Sequence, residues 1–551
     1  SRIVWDAAEG GRMFLINAAS LSTYIGIVWD DRGKAAEGFV HAGGGESKVT
    51  HQHVAFMNFT DFGCGAVERY LESSEWRNCL FVNCGKGLWI SSGKNAGHFI
   101  WTVDGCEFHD NGYGLSSDAG NFYARNCHFE RSRQVDISVS ISHPANSVRR
   151  CTSVDSRAFI QLANSPTTGL ALPLTIQDCH VSGWTNPDWA VRKNRSGPLL
   201  IFDCVFTDAP SANPPVSLGV PLPVVHSNNQ TSTAQLFGGE TELVIDEVPE
   251  GERGGSINSA WQRFFRDEGK IPTRVFDAKR DFGAAGNGQK DDTDAIQACI
   301  DAARQHGNGA IAYLPRGRYR VSSTINITGG DYHVGGAGVQ YTRIDWGGGS
   351  AGPVFLVSDP LNMRMEYLEV RSGSLRPAVR QVSTTQQPSR MHYEHVAIIG
   401  DGLVLPNTFT GKGVFEAVGL SKGSVLTAFT FNVKLDGMSF ENCSGARILL
   451  GHVGNHSQGV LRVKGTQADR SGFFGVQTGH TRYRIEDNQS LVASDTYIEQ
   501  MGLRNWSQGP YVYLAGSPSL PEGRVTMSSP KIGGMAVNTA GEQDNPTYET
   551  F

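Results

Sequence analysis

Apolar and polar positions alternate over very short runs along residues 77–206. In 77-RNCLF-81, 104-DGCEF-108, 125-RNCHF-129, 149-RRCTS-153, 177-QDCHV-181 and 202-FDCVF-206, a cysteine and the residue two places on fall on the same side of the chain. A period of two belongs to a strand with one buried face, whereas helical repeats would need a spacing of 3.6. Cys79, Cys106, Cys127, Cys151, Cys179 and Cys204 are separated by 27, 21, 24, 28 and 25 residues. That is the interval at which a solenoid coil returns to an equivalent position. Clusters such as 110-DNGYG-114 supply corners, because Gly and Asn tolerate left-handed backbone. The pattern predicts a parallel β-helix whose cysteines stack as an inward ladder of small apolar side chains. Disulfides between adjacent coils are the competing use of ten cysteines. No zinc-type Cys/His spacing occurs, so no structural metal is expected.

The alternation stops near Thr207. The Pro-rich stretch 209-APSANPPVSLGVPLPVV-225 reads as a crossover, since proline is unsuited to central strands. A different pattern begins at Val275. Ile296, Cys299, Ile300 and Ala303 recur at helical spacing behind Asp291 and Asp292, which can cap a helix, and Gly307 ends it. Alternation through Ile311, Tyr313, Pro315, Tyr319 and Val321 then predicts strands around a tight 315-PRG-317 turn. A helix of this kind can cover the exposed strand edges at the end of a solenoid. The expected organisation is a first solenoid over 1–208, a crossover over 209–274 and a second solenoid over 275–551. The first enters mid-coil at 1-SRIVW-5, so its own cap is expected upstream of Ser1.

Composition narrows the function classes. Glycine makes up 66 of 551 residues and charged residues only 19%, as a corner-rich chain with a continuous buried face would have. A net charge of −6 removes the basic footprint of a nucleic-acid binder. No apolar run is long enough to span a membrane as a helix. The glycines of 335-GGAGVQYTRIDW-346 lack the strand, loop and long helix of a phosphate loop.

The run DFGA, then DDTDAIQACIDAA, then YLPRGRYRV within 281–321 resembles the opening of the pectate-lyase-like right-handed parallel β-helix superfamily. The tandem arrangement is similar to the exo-β-1,3-glucanases of glycoside hydrolase family 55. The resemblance implies an all-β fold of two tandem right-handed β-helices with a short capping helix, acting on a polysaccharide or oligosaccharide. It also implies an extracellular setting, secreted or at the cell surface, in a bacterium. Glycoside hydrolysis with Glu/Asp acid–base chemistry is the leading expectation; a polysaccharide lyase on the same scaffold, or a non-catalytic carbohydrate-binding or adhesive β-helix, are the alternatives. No cofactor is expected. Calcium stays open, because some β-helix lyases use it although nothing here spells a calcium loop.

Hydrolysis needs two carboxylates, and elimination needs a base beside a cation or donor. The densest carboxylate stretch is 485-IEDNQSLVASDTYIEQ-500, where Asp495, Tyr497 and Glu499 share a face if 494–500 is one strand. Glu499, Asp495 and Glu486 are the catalytic candidates, against the alternative that they are ordinary solvent-facing charges. Glu366, Glu369, Glu394 and Asp345 belong to the wider carboxylate pool. His452 and His456 flank a glycine turn and could bind substrate or act as a base. Arg482 and Arg484 share a strand face and could neutralise a uronate carboxylate. Trp184 and Trp189, around 185-TNPD-188, are the favoured sugar-stacking aromatics, with core packing the other role open to them. His51 and His53 have the spacing of a metal pair but no third ligand in sequence.

Overall fold

The computed structural model describes residues 1–5, 10–17, 22–42, 46–47, 49–66, 71–90, 99–118, 122–140, 146–162, 174–195, 197–245, 272–348, 352–372, 377–400, 415–434, 438–443, 446–455, 460–464, 472–474, 477–479, 482–486, 490–494, 497–500, 512–515, 524–528 and 531–534. From 449 onward the description covers backbone only. The chain divides into two compact units, Ser1–Arg266 and Asp267–Phe551.

In the first unit each coil donates one strand to each of three parallel sheets, of 10, 11 and 10 strands. The cysteines mark the most regular part. Asn78, Gly105, Asn126, Arg150, Asp178 and Asp203, each immediately before a ladder cysteine, all have positive φ between 49° and 62°. The cysteine is turned inward by that corner, and a three-residue strand follows: Leu80–Val82, Glu107–His109, His128–Glu130, Thr152–Val154, His180–Ser182 or Val205–Thr207. A second left-handed residue, such as Asp110 or Arg131, closes each of these strands. The middle residue faces the core, which stacks Phe56, Phe81, Phe108 and Phe129 at ring separations of 5.1, 4.7 and 4.7 Å. The residues on either side face out.

All ten cysteines are free and buried, so the ladder is one of thiols rather than disulfides. Cys106 Sγ, for example, lies 3.4 Å from the carbonyl of Trp76 and 3.6 Å from that of Asp104.

Contrary to the crossover expected over 209–274, the coils continue through the Pro-rich stretch. Val216–Leu218 pairs with Val191–Lys193, Leu222–Ser227 pairs with Leu199–Phe202, and the last described strand of the unit is Thr241–Ile245. Pro214 and Pro215 sit just before a strand, where the Pro215 carbonyl still accepts from Ala190 and Val191. Pro223 falls at a register shift. Proline is thus confined to positions that tolerate a missing donor.

The second unit carries a single helix among the described residues, α1 (Thr293–His306). Ile296, Cys299, Ile300 and Ala303 bury its inner face and Gly307, at φ 59°, stops it. Asp292 does not cap it by a side-chain bond. Its carboxylate instead accepts the amides of Ala285 and Gly286, at 2.6 and 2.9 Å, while Asp291 accepts from Thr293. The next strand, Ala310–Leu314, turns Ala310, Ala312 and Leu314 to the core. That phase is one residue off the Ile311/Tyr313 alternation, because alanines leave room for α1. Two parallel sheets of 16 and 8 strands follow. No helix among the described residues is long and apolar enough to cross a membrane.

Candidate functional site

Two adjacent coils of the second unit repeat a phrase: 363-MRMEYL-368 and 391-MHYEHV-396, 28 residues apart. In each, the residues at the first and third places (Met363, Met365; Met391, Tyr393) enter the core, and those at the second and fourth point outward. The parallel register places His333, Arg364, His392 and Thr427 side by side on four successive coils, with Gly335, Glu366 and Glu394 in the neighbouring row. The fifth residue of each phrase, Tyr367 or His395, has positive φ (55° and 49°), a strained state for an aromatic side chain. The strain brings the two rings into a stack with centroids 4.9 Å apart and planes within 11°.

The side chains of these rows form one connected network. Arg364 Nη2 donates to Glu394 Oε2 at 3.3 Å, and His392 Nε2 meets the same oxygen at 2.7 Å. His395 Nε2 approaches Glu394 Oε1 at 3.7 Å. His392 Nδ1 lies 3.0 Å from Thr427 Oγ1, and that hydroxyl is 3.1 Å from the carbonyl of Met391. A threonine hydroxyl has one proton. If it goes to the carbonyl, Nδ1 must donate, and with Nε2 donating to Glu394 the ring is an imidazolium.

On the other flank, His333 Nδ1 and Arg364 Nε are buried without a hydrogen bond and face Glu366 oxygens at 3.6 and 3.7 Å. Only glycine fits at position 335, since a Cβ there would meet Ile311 Cδ1 at 2.7 Å and the Glu366 side chain at 3.4 Å. Glu394, His395 and His333 are 4, 5 and 7% exposed, so the charges work in a partly desolvated setting where their interactions are strengthened. A second charged row runs beside this one: Arg343 Nε bonds Asp345 at 2.6 Å, Arg371 Nε bonds Glu369 at 2.5 Å, and Arg318 also pairs with Asp345.

The arrangement offers a cation between two imidazoles, with carboxylates that hold and orient them. It can bind an anionic group and move protons on either side of it.

The residues favoured from sequence lie elsewhere. Trp184 and Trp189 are core side chains, 3 and 8% exposed. Trp184 packs edge-on to Phe206 and Trp189 against Val135 and Ala158, so neither presents a face to a sugar. One described strand ends at Ser494 and another begins at Tyr497, and Asp495, between them, lies outside the described residues. Glu486, Arg482 and Arg484 lie on the strand Arg482–Glu486, Tyr497 and Glu499 on Tyr497–Gln500, and His452 on Arg447–Asn455. Their side chains, and Asp495 and His456 altogether, fall outside the described residues. His53 occupies a left-handed corner, while His51 is buried and stacks on Trp76, so the two do not form a pair. The carboxylate pool did contain Glu366 and Glu394. The sequence signal for the cluster is the repeated M-x-(M/Y)-E-(Y/H) phrase, which brings Arg364, His392, Tyr367 and His395 to them.

A solenoid of parallel strands, opened by a helix and carrying a polar row across successive coils, defines a β-helix protein. Residues 276–472 match the family described as rhamnogalacturonase A/epimerase, pectate lyase-like, and residues 66–232 match the right handed beta helix region. Together the two matches support a pectate-lyase-like right-handed parallel β-helix fold for the chain. It is 57% identical over 71 residues to alginate lyase 7 of Azotobacter vinelandii, covering 12% of this chain and 8% of that protein. Over a segment of the same length it is 48% identical to mannuronan C5-epimerase AlgE1 of that organism, covering 5% of the relative. The matched segment is thus a small fraction of either relative. A solved PL6 family alginate lyase, AlyGC, aligns over 96% of this chain and all of that one at 10% identity and a TM-score of 0.23, too low to carry an argument.

Proposed function

We propose that the second unit abstracts the proton at C5 of a uronate residue in a polysaccharide of the alginate type, acting as a lyase or a C5-epimerase. The observation that carries this reading is the row His333, Arg364, His392, in which a guanidinium sits between two imidazoles on successive coils, about 4.8 Å apart. Arg364 neutralises the uronate carboxylate, which makes the adjacent C–H acidic. His333, not held by a hydrogen bond through Nδ1, takes the proton. His392, held at both nitrogens, is the acid, and Glu394 orients it and Arg364 together. In elimination, the electron pair left at C5 forms the C4–C5 double bond, the C4–O bond breaks, and the departing oxygen takes the acid's proton. In epimerisation His333 keeps the abstracted proton and His392 delivers its own to the opposite face of C5.

The names of the relatives support this reading over the glycoside hydrolase expected from the tandem resemblance, as does a cluster whose carboxylates are occupied in holding cations and imidazoles. An extracellular setting, where such polymers are met, accords with it.

The test is to incubate the full chain with polymannuronate and follow ultraviolet absorbance and the proton NMR spectrum. Unsaturated ends or new guluronate signals, both abolished in Arg364→Ala, are expected. New reducing ends with neither signal would make it a hydrolase, and binding without turnover would make it a carbohydrate-binding module.

A further inference from the structure

A second chemical cluster lies on the first unit. The strands Glu107–His109 and His128–Glu130 are neighbours in register, Glu107 beside His128 and His109 beside Glu130. Their middle residues, Phe108 and Phe129, are locked in the aromatic stack, and each strand is bounded by left-handed corners, so the four outward side chains stand on a rigid base. His109 Nδ1 is 2.9 Å from Glu130 Oε2, and His128 Nε2 is 3.9 Å from the same oxygen. One ligand atom from each of the three lies within 4.8 Å of the others. A tetrahedral ion with bonds of about 2.0–2.1 Å needs ligand atoms roughly 3.3 Å apart. The observed separations straddle that value, so small rotations would bring all three onto one ion.

The outer partners are compatible with the tautomers that such binding requires. His109 Nε2 is 3.0 Å from Glu107 Oε2, and His128 Nδ1 is 2.6 Å from Thr152 Oγ1. Each imidazole can give its N–H to an outer oxygen and turn its lone pair inward, the arrangement found around metal-bound histidines. Arg131 pairs with the other oxygen of Glu130 and with Asp110, leaving Oε2 as the inward atom. The site is reachable, the three ligand side chains being 20, 37 and 26% exposed.

We propose that His109, His128 and Glu130 bind a divalent transition-metal ion of the zinc class, with Glu107 and Thr152 as the positioning residues. Two imidazoles and one carboxylate suit such an ion better than calcium, which prefers all-oxygen sets. The fourth position would be open to solvent.

The full chain, stripped with chelator, would be titrated calorimetrically with zinc chloride and spectroscopically with cobalt(II). One ion per chain is expected, with affinity reduced at least tenfold in His109→Ala and in His128→Ala and less in Glu107→Gln. Circular dichroism would check that these outward substitutions leave the coils intact. A wild-type chain that binds no ion, or variants that bind as it does, would overturn the assignment. So would a thiolate-to-cobalt charge-transfer band lost in Cys64→Ser, because that places the ion at the buried group of His41, His51 and Cys64 instead.

Discussion

Asp136 is wholly buried in the first unit, where the phenylalanine stack ends and Ser153 takes the position that Phe129 holds one coil earlier. Ser153 Oγ donates to its carboxylate at 2.5 Å. Burial raises the carboxyl from 3.8 to about 7, more than the hydroxyls of Ser153, Ser156 and Ser132 lower it. Three units correspond to about 4 kcal/mol, at 1.36 kcal/mol per unit. The sign follows from proton binding. Between pH 4 and 7 the unfolded chain has lost this proton and the folded chain keeps it, so stability falls as pH rises through that window. Above about 7 both forms are ionised and the contribution is level. Asp136→Asn removes the titration while nearly keeping the shape. Urea unfolding followed by tryptophan fluorescence, at intervals from pH 4 to 8, should show the variant gaining about 4 kcal/mol on the wild type across the range. Asp178, raised to about 6, titrates in both proteins and cancels in the difference. Lys193, lowered to about 7, acts in the opposite direction mainly above the range. Profiles that stay parallel to within about 1 kcal/mol would refute a buried, proton-retaining Asp136.

Replacing His392 with alanine should lower turnover about 100-fold or more with little change in the unfolding midpoint, as loss of a proton-transfer group does, read from initial rates on polymannuronate. Phe108→Ala opens a gap between two stacked rings and should cost roughly 3–5 kcal/mol in urea unfolding. The native chain should react with no equivalent of an aromatic disulfide reagent and with ten after denaturation, and reductant should leave its unfolding midpoint unchanged, since all its thiols are free and buried.

Much of the scaffold was legible because the corner residues repeat. The pairs Asn78-Cys79, Asn126-Cys127 and Asp178-Cys179 spell a left-handed residue followed by a small inward one, and period-two spacing does the rest. The proline-rich stretch misled because Pro215 and Pro223 look like strand breakers until the register shows which amides the sheet does without. Trp184 and Trp189 stand in a loop-like sequence, yet their rings turn back into the core, a direction that local sequence does not encode. The candidate site was harder to read. His333, Arg364 and His392 are about 30 residues apart and become neighbours only through coil register. Searching for dense carboxylates selects residues close in sequence, whereas a parallel solenoid assembles its chemistry across coils.

The passage from the third strand of a coil to the next short strand takes two residues in every coil from Asp104 to Val205, although the coils themselves differ in length by up to seven residues. All the variation is therefore accommodated away from that corner. Chain can be lengthened or trimmed at the other two corners without changing the two-residue approach to the outward pairs at Glu107, His109, His128 and Glu130. The fold in effect separates a fixed ruler from an adjustable margin, so descendants of this chain can alter what they grip by editing the margin while the spacing along the ruler is inherited intact.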